Sequence, residues 1–482
     1  MNGPDAGRRR GSAAVSRLPG VLAAAYAVLG LVAVLVLARL TPPFQNPDEL
    51  SHVLRAEQVE QGGLLGRRFA GPVRPSAGGF LDGGALSVYA VFEPLVFQPG
   101  VRATAEMFER ADTVRWGGKR WWQEFDNTAV YPPFLYLPAA AGLAAGRVGG
   151  MPVVRTLHLA RLCGGVAAVA VGSAAVALAG GAAPVLFAVL SLPMVLSLMA
   201  AVSQDALLLP VAGLAAALLV RLRGAPAGDG PGGVVADGGA SRMDAAAFAA
   251  MCVCLALVGM ARPVYLPAAA LPLLARAVGR RARLAGAALV AGCVLAWAAA
   301  AAHWALVNGS EGGLADPAAQ VAWLWADPWR VWQVAVRTLS VHGYALAEEF
   351  VGRLGWLDLA LPAWVRRVAW ASLLVGALAS AAPVARRGRR GGGAAGRAVA
   401  LAVGLASGAA VFAVQYLTWT PVALGLVMGV QGRYFLPVAL LLGAALPGRA
   451  VLPRGVALVL PAMSAVVLGG VMWAVVGRYY LR

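Results

Sequence analysis

The apolar residues of this chain come in continuous runs rather than in alternation. The first spans residues 19–40. After a long polar stretch, others follow near 134–150, 156–179, 184–201, 206–220, 245–261, 264–277, 284–307, 366–385, 397–416, 434–447 and 455–477. A helix of roughly 17 to 25 residues crosses a hydrocarbon layer and satisfies its own backbone there, whereas a barrel strand would alternate. The pattern therefore predicts an all-α fold, a polytopic transmembrane helical bundle of about 11–13 helices.

The polar stretches organise the rest. Residues 1–18 form a basic N-terminal tail, and 19–40 form an uncleaved first membrane helix. Its apolar core is long for a signal peptide, and Arg39, Pro42 and Pro43 follow it in place of a cleavage signal. Residues 41–133 are a large, structured first external loop, too long for a plain connector. Amphipathic helices are expected over 47–61 and near 104–115, with irregular Gly- and Pro-rich chain over 71–84. Residues 134–307 make the helical core, with a cytoplasmic linker at 221–244. Residues 308–365 are a second external segment, with helix starts at Asp316-Pro317 and Asp327-Pro328. There Trp325, Trp329 and Trp332 stand at helical spacing, as in a helix lying on the membrane surface. Residues 366–482 carry the C-terminal membrane helices.

One stretch resists this scheme. If each of the four runs between 134 and 220 crosses once, the linker at 221–244 emerges outside, against the rule that basic loops stay in the cytoplasm. Residues 151–221 must hide an extra short crossing or a re-entrant turn, with Pro184, Pro193 and Pro210 as candidate breaks.

Composition agrees with a membrane protein and excludes a string of soluble domains: mean hydropathy is +0.72, and only 13% of residues are charged. A net charge of +18 would suit nucleic acid, but the basic residues are almost all Arg, clustered between apolar runs. Arg8, Arg9 and Arg10, then Arg280, Arg281 and Arg283, and later Arg386, Arg387, Arg389 and Arg390 form such clusters. They mark cytoplasmic ends, so the expectation is a multi-pass cell-membrane protein with a cytoplasmic N-terminus and no nucleic-acid partner. The acids lie elsewhere: 11 of 22 fall in residues 44–130 and six more in 308–365, the two external stretches. Cys163, Cys252, Cys254 and Cys293 sit within apolar runs and read as packing residues, without a disulfide or metal role.

Ionisable groups are costly in lipid, so those at helix ends are the informative ones. In the stretch 41–61, Asn46 suits a helix cap and Pro47 its first turn, and Asp48 and Glu49 stand where free backbone N–H groups favour negative charge. His52 and Arg55 follow on the same face. A cap followed by two acids is also simply a good helix start. Further candidates are Asp205 in Ser-Gln-Asp-Ala, Arg262 and Tyr265 in Arg-Pro-Val-Tyr, and Arg353 and Asp358 in the stretch around 352–362. Gln431, Arg433 and Tyr434 form another group, where Gly432 would let a ligand approach the backbone. Tyr131 belongs to a cluster with Trp121, Trp122 and Tyr136 that equally suits anchoring in the headgroup layer. Arg and Tyr at helix ends also snorkel.

Acids and arginines at the outer mouth of a bundle suit transfer of a group from a lipid-linked phosphate. A carboxylate can take the proton of an attacking hydroxyl, while Arg and Tyr hold the departing phosphate as its charge grows. The cofactor is unknown. A magnesium or manganese ion bridging acid and phosphate is compatible with this chemistry, although no ligand spacing demands one.

Several motifs occur in order: Thr-Pro-Pro-Phe-Gln-Asn-Pro-Asp-Glu from Thr41 with His52 and Arg55, Tyr-Pro-Pro-Phe at Tyr131, Ser-Gln-Asp-Ala at Ser203, Arg-Leu-Gly-Trp-Leu-Asp at Arg353, and Gln-Gly-Arg-Tyr-Phe-Leu-Pro at Gln431. As an ordered set spanning most of the chain, they resemble the bacterial membrane family catalogued as domain of unknown function 2142. Leu50 stands where that family's pattern has a proline. The family in turn is similar to the GT-C glycosyltransferases, which pair a multi-helix membrane core with an acidic catalytic residue in the first external loop and take sugar from a polyprenyl-phosphate donor. The resemblance implies an inverting glycosyltransferase for cell-surface glycan assembly, with Asp48 as general base and Glu49 as its partner or a metal contact. Its implied partners are membrane lipid and a polyprenyl-phosphate-linked sugar. A lipid-linked glycan flippase or exporter, and a non-catalytic membrane scaffold, are the rival readings. Few charges lie mid-helix, which counts against a transport path.

Overall fold

The computed structural model describes residues 5–71, 75–223, 241–307, 315–381, 394–446 and 455–481, and of residues 5–18 and 394 the backbone alone. The Arg386–Arg390 cluster, residues 224–240 of the expected linker, and 308–314 of the second external segment lie outside the described residues.

Helix α1 (Asp5–Leu40) opens the chain. The first long polar stretch then folds as α2 (Glu49–Glu60), β1 (Arg67–Ala70), β2 (Pro75–Asp82), α3 (Gly84–Phe92), α4 (Ala105–Thr113) and β3 (Arg120–Glu124). The core helices follow: α5 (Leu137–Val148), α6 (Val153–Leu178), α7 (Ala183–Leu190), α8 (Pro193–Met199), α9 (Asp205–Arg223), α10 (Arg242–Ala261) and α11 (Arg280–Trp304). Next come α12 (Pro317–Ala326) and α13 (Trp329–Gly352), a two-residue hairpin of β4 (Arg353–Leu354) and β5 (Leu359–Ala360), then α14 (Ala363–Ala381), α15 (Ala394–Thr418), α16 (Leu436–Gly443) and α17 (Val456–Tyr479).

Among the described residues seven helices are long and apolar enough to cross a membrane, within α1, α6, α9, α10, α11, α15 and α17. The remaining apolar runs form shorter helices, a broken pair, or α14, which is as long as α9 but carries Arg366 and Arg367 and is less apolar. The broken pair, Gly180–Leu190 and Pro193–Met199, bends by 76° and is the broken crossing or re-entrant turn expected in residues 151–221. Its cause is local: Pro193 has no N–H to continue α7 and holds Leu192 extended at φ −64°, ψ 145°. Pro184 merely starts α7, and Pro210 is accommodated inside α9. Helices α7, α8 and α9 form the centre of the bundle, with almost every side chain buried.

The bundle has two distinct ends. At one, Arg223 donates to the Ala444 and Gly396 carbonyls, and Ala277 N–H donates to Leu222. Arg221, Arg276, Arg280, Arg281 and Arg283 belong to the same helix ends. At the other end, where α1 finishes, α9 begins and α10 finishes, the first polar stretch is seated.

That stretch holds more order than its composition predicts. In place of irregular chain over 71–84, β2 is the central strand of an antiparallel sheet in the order β1-β2-β3. Glycines make this a strand rather than a loop: a Cβ on Gly78 would collide with the Gln123 carbonyl of β3. The aromatic cluster is divided as well. Trp122 packs between Phe69 and Phe80 and donates to Ser76 Oγ, and Tyr136 is buried; only Trp121 of these stands largely exposed. Both expected helix starts form: Asp316 caps α12, accepting from Ala318 and Ala319, and Asp327, just before the Pro328 that begins α13, accepts from Trp329. Trp325, Trp329 and Trp332 are exposed there.

Candidate functional site

Residues 41–48 turn back over the end of the bundle, and the turn is completed at Asp48, in the left-handed region at φ 60°, ψ 12°. Asn46 does not cap α2; its Oδ1 accepts from Ser197 Oγ at 3.0 Å, and no side chain caps the helix. Asp is among the few residues that tolerate this conformation, and strained backbone of this kind gathers at functional sites. Its effect here is to send the two neighbouring acids to different surroundings.

Glu49 goes inward. Its carboxylate meets Arg161 Nε and Nη2 at 2.7 and 2.6 Å and also accepts from Val202 N–H. The other Arg161 donors reach the carbonyls of Ala38, Thr41 and Pro42, so all five N–H groups of the guanidinium are used. Both side chains are fully buried. Glu49 therefore ties α2 to α6 and to the end of α1, and both of its oxygens are taken up there.

Asp48 stays at the mouth, its side chain 34% exposed. Arg433 Nη2 donates to its Oδ2 at 2.8 Å and Asn127 Nδ2 to its Oδ1 at 3.2 Å. Burial alone would raise its pKa, but Arg433, His52 and Arg262 together hold it below the usual carboxylate range. Arg433 is positioned in turn by Gln431, whose Oε1 accepts from Nε at 2.7 Å.

A second ion pair stands beside the first. Arg262 Nη2, at the end of α10, donates to both oxygens of Asp205 at the start of α9, at 2.9 and 2.8 Å. The two guanidinium groups flank one ring, Tyr434, at 4.3 Å for Arg262 and 5.7 Å for Arg433. Tyr265 fixes that ring's backbone through a 2.6 Å bond to the Tyr434 carbonyl. His52 Nδ1 lies 2.7 Å from Tyr136 OH, and its ring stacks on Tyr131. Burial pushes His52 down to about 4 against the opposing pull of Asp48 and Asp205, so the imidazole is neutral at neutral pH. Among the described residues, Arg262 Nε and Arg433 Nη1 are buried donors without a hydrogen-bond partner.

Asp48, His52, Tyr131, Asp205, Arg262, Tyr265, Gln431, Arg433 and Tyr434 thus come together from five separate stretches of sequence. Four sequence candidates do not join them: Glu49, expected to be catalytic, is taken up by Arg161, and three others lie elsewhere. Arg55 points the other way and clamps loop carbonyls at Tyr131, Gly63 and Leu64. Arg353 binds the Leu357 carbonyl and approaches Glu348, and Asp358 pairs with Arg478 of α17 at 3.0 Å. Gly432 does not open the backbone to a ligand: a Cβ there would strike the Leu346 carbonyl of α13, so its glycine serves helix packing, and its N–H donates to Glu349.

Sequence reasoning missed Arg161, Asn127 and the polar role of Tyr136. For Arg161 a signal was present, an arginine inside the apolar run 156–179. Gln204 was passed over too; it is fully buried beside Asp205, with neither side-chain polar atom hydrogen-bonded among the described residues. Among the described residues no group of three or more His, Cys, Asp and Glu is placed to hold a metal ion.

A helical bundle in which, among the described residues, seven helices are long and apolar enough to cross a membrane, with a charged cluster gathered at one end, defines a multi-pass membrane protein. Residues 30–442 match the family described as predicted membrane protein DUF2142, and the chain belongs to that family. No curated protein and no solved structure matches the chain.

Proposed function

We propose that this protein is a GT-C-like glycosyltransferase of the cell membrane, its N-terminus in the cytoplasm and its site at the outer face. It moves a sugar from a polyprenyl-phosphate donor onto an acceptor hydroxyl during cell-surface glycan assembly. The observation that carries the reading is the pairing of Asp48, a third of whose side chain is exposed, with Arg433 across 385 residues of sequence, beside the second ion pair of Arg262 with Asp205.

The acceptor oxygen attacks the anomeric carbon, and its proton passes to Asp48. The bond from that carbon to the phosphate oxygen breaks with inversion, and the electron pair leaves on the polyprenyl phosphate. Arg433 and Arg262 meet the negative charge that develops on the leaving phosphate. At rest Arg433 keeps Asp48 ionised and weakly basic. A bound phosphate competes for that guanidinium, so the carboxylate regains basicity as the donor arrives.

The test is a strain whose sole copy carries Asp48→Asn. General-base loss should reduce transfer to surface glycan by about 100-fold or more at unchanged membrane abundance. Wild-type surface glycan in that strain would remove Asp48 from the chemistry. Movement of an unaltered lipid-linked sugar into proteoliposomes would instead indicate an exporter.

A further inference from the structure

A cleft of about 890 Å³ lies at the end of α2 away from Asp48, within the size range of ligand sites. One wall is the end of α2 with the loop 61–66 that leads into β1, and the other is the last turn of α11. The floor is drawn in tightly, since a Cβ on Gly63 would strike Gln58 and one on Gly66 would strike Ala129. Arg68 joins the two walls, donating to the carbonyls of Leu306, at 2.6 Å, and Ala302. Its neighbour Arg67 is exposed and has no ion-pair partner among the described residues. Phe80 and Trp304 line the cleft at 57% and 58% exposure. Each is braced by a second ring, Phe80 by Trp122 at 5.6 Å and Trp304 by His303 at 4.9 Å between centroids. Among the described residues no Asp or Glu lines the cleft. It sits where the α11 span ends, beside an edge strand exposed along its whole length, so it opens at the membrane surface rather than within the bilayer.

We infer that this cleft is a binding subsite for an acidic glycan, whose sugar rings pack on Phe80 and Trp304 and whose anionic groups are met by Arg67. A sugar ring has an apolar C–H face and a rim of hydroxyls, and exposed, braced aromatic rings flanked by polar side chains offer a partner to each. The charge selects further: a cationic ligand finds no counter-charge in the lining, whereas a carboxylate or phosphate gains a charge-assisted bond from a guanidinium that is not already spent. A purely apolar ligand would leave Arg67, Gln61 and His303 without a role. The cleft is also fastened to the ion-pair cluster. Gln58 stands roughly 15 Å along α2 from Asp48. Between them Arg55 binds the carbonyls of Gly63 and Leu64 in the cleft floor and that of Tyr131, whose ring stacks on His52. A glycan held here would be gripped at units remote from any reacting hydroxyl. The inference rests on the proposed function for naming that glycan the acceptor, but the recognition itself does not depend on any transfer step.

The experiment measures binding, not turnover. Purified full-length protein in neutral detergent micelles is titrated with tetragalacturonate and with maltotetraose, a neutral oligosaccharide of the same length. The acidic probe should bind about tenfold more tightly, and its advantage should shrink as salt is raised. Trp304→Ala and Phe80→Ala should each weaken both probes by about tenfold, through lost ring contact. Arg67→Gln should bring the acidic probe down to the affinity of the neutral one. All three side chains are exposed, so the variants should fold, and Arg110→Gln, an exposed change on α4 outside the cleft, should bind as wild type. Farnesyl phosphate, a short stand-in for a polyprenyl-phosphate donor, should not displace tetragalacturonate, and neither should phosphatidylglycerol. Failure of tetragalacturonate to bind, equal affinity for the two probes, or indifference to the three cleft variants would overturn the subsite, and displacement by phosphatidylglycerol would make it a lipid-headgroup site instead. If binding behaves as expected while no sugar transfer occurs under any condition, the subsite stands and the glycosyltransferase reading fails. Transfer that is lost in Asp48→Asn yet indifferent to all three cleft variants is the opposite result.

Discussion

Asp48 and Glu49 are adjacent in the chain, and each pairs with an arginine brought from a distant helix, yet the two pairs are built for different purposes. Glu49 and Arg161 are fully buried, and every donor of the guanidinium has an acceptor. Asp48 is about a third exposed, while its partner Arg433 is buried and keeps one donor unmatched. The difference shows how one left-handed residue can separate structure from chemistry. Saturated pairs in low dielectric hold helices in place, while unsaturated ones retain the capacity to bind something else.

Removing one member of the saturated pair should produce the largest effect. Arg161→Ala leaves the Glu49 carboxylate buried and unpaired, which costs about 3–5 kcal/mol. Detergent-solubilised protein should lose its cooperative melt or its monodispersity on size exclusion. A double change, Glu49→Leu with Arg161→Met, should recover much of that loss, because an apolar pair of similar bulk avoids the desolvation penalty. No recovery would mean that the carbonyls of Ala38, Thr41 and Pro42 need the guanidinium in their own right.

Asp48→Asn should invert this outcome: the amide oxygen can still accept from the buried Arg433, so the melt should stay cooperative, with a loss smaller than that of Arg161→Ala, and activity lost. A melt as damaged as that of Arg161→Ala would erase the distinction between the two pairs. The intermediate case is Asp205→Asn. It keeps the shape but removes the charge that orients Arg262, and should weaken farnesyl phosphate binding by about tenfold, a direct titration being the check. Tighter binding would show that Asp205 chiefly repels the anion.

Another acid of α2 gives the smallest and most specific prediction. Glu57 is buried, and despite its contact with Arg147 burial pushes it up to about 7 from an ordinary 4.5. The folded protein then binds this proton more tightly than the unfolded chain does. The Glu57 contribution is therefore most favourable below pH 4.5 and declines as pH rises to about 7, levelling off above. Glu57→Gln should flatten that segment of a stability-versus-pH curve measured by thermal melting. An unchanged slope would assign the pH dependence to other groups.

The membrane character was legible in the sequence because spanning helices must be continuously apolar, and the break near Pro193 was legible because proline acts on its own neighbours. The members of the cluster were also legible, one by one, as polar residues at helix ends. What the chain order concealed was which acid would meet which arginine. Asn46-Pro47-Asp48-Glu49 reads as an ordinary cap, and nothing local reveals that Asp48 takes φ 60° or that Glu49 finds Arg161. The strand β2 was hidden for a similar reason, since its glycines signal a loop until a partner strand approaches them closely.

By itself, then, the sequence determined a helical membrane bundle with polar groups concentrated in a few stretches, because hydrophobic length and proline placement act over one or a few turns. Only the tertiary structure decided that Glu49 belongs to the frame and Asp48 to the mouth, that Arg55 and Asp358 are fastenings elsewhere, and that Arg262 and Arg433 share the Tyr434 ring. Each of those outcomes depends on contacts between helices far apart in the chain, whose strength is set by burial that no local pattern encodes.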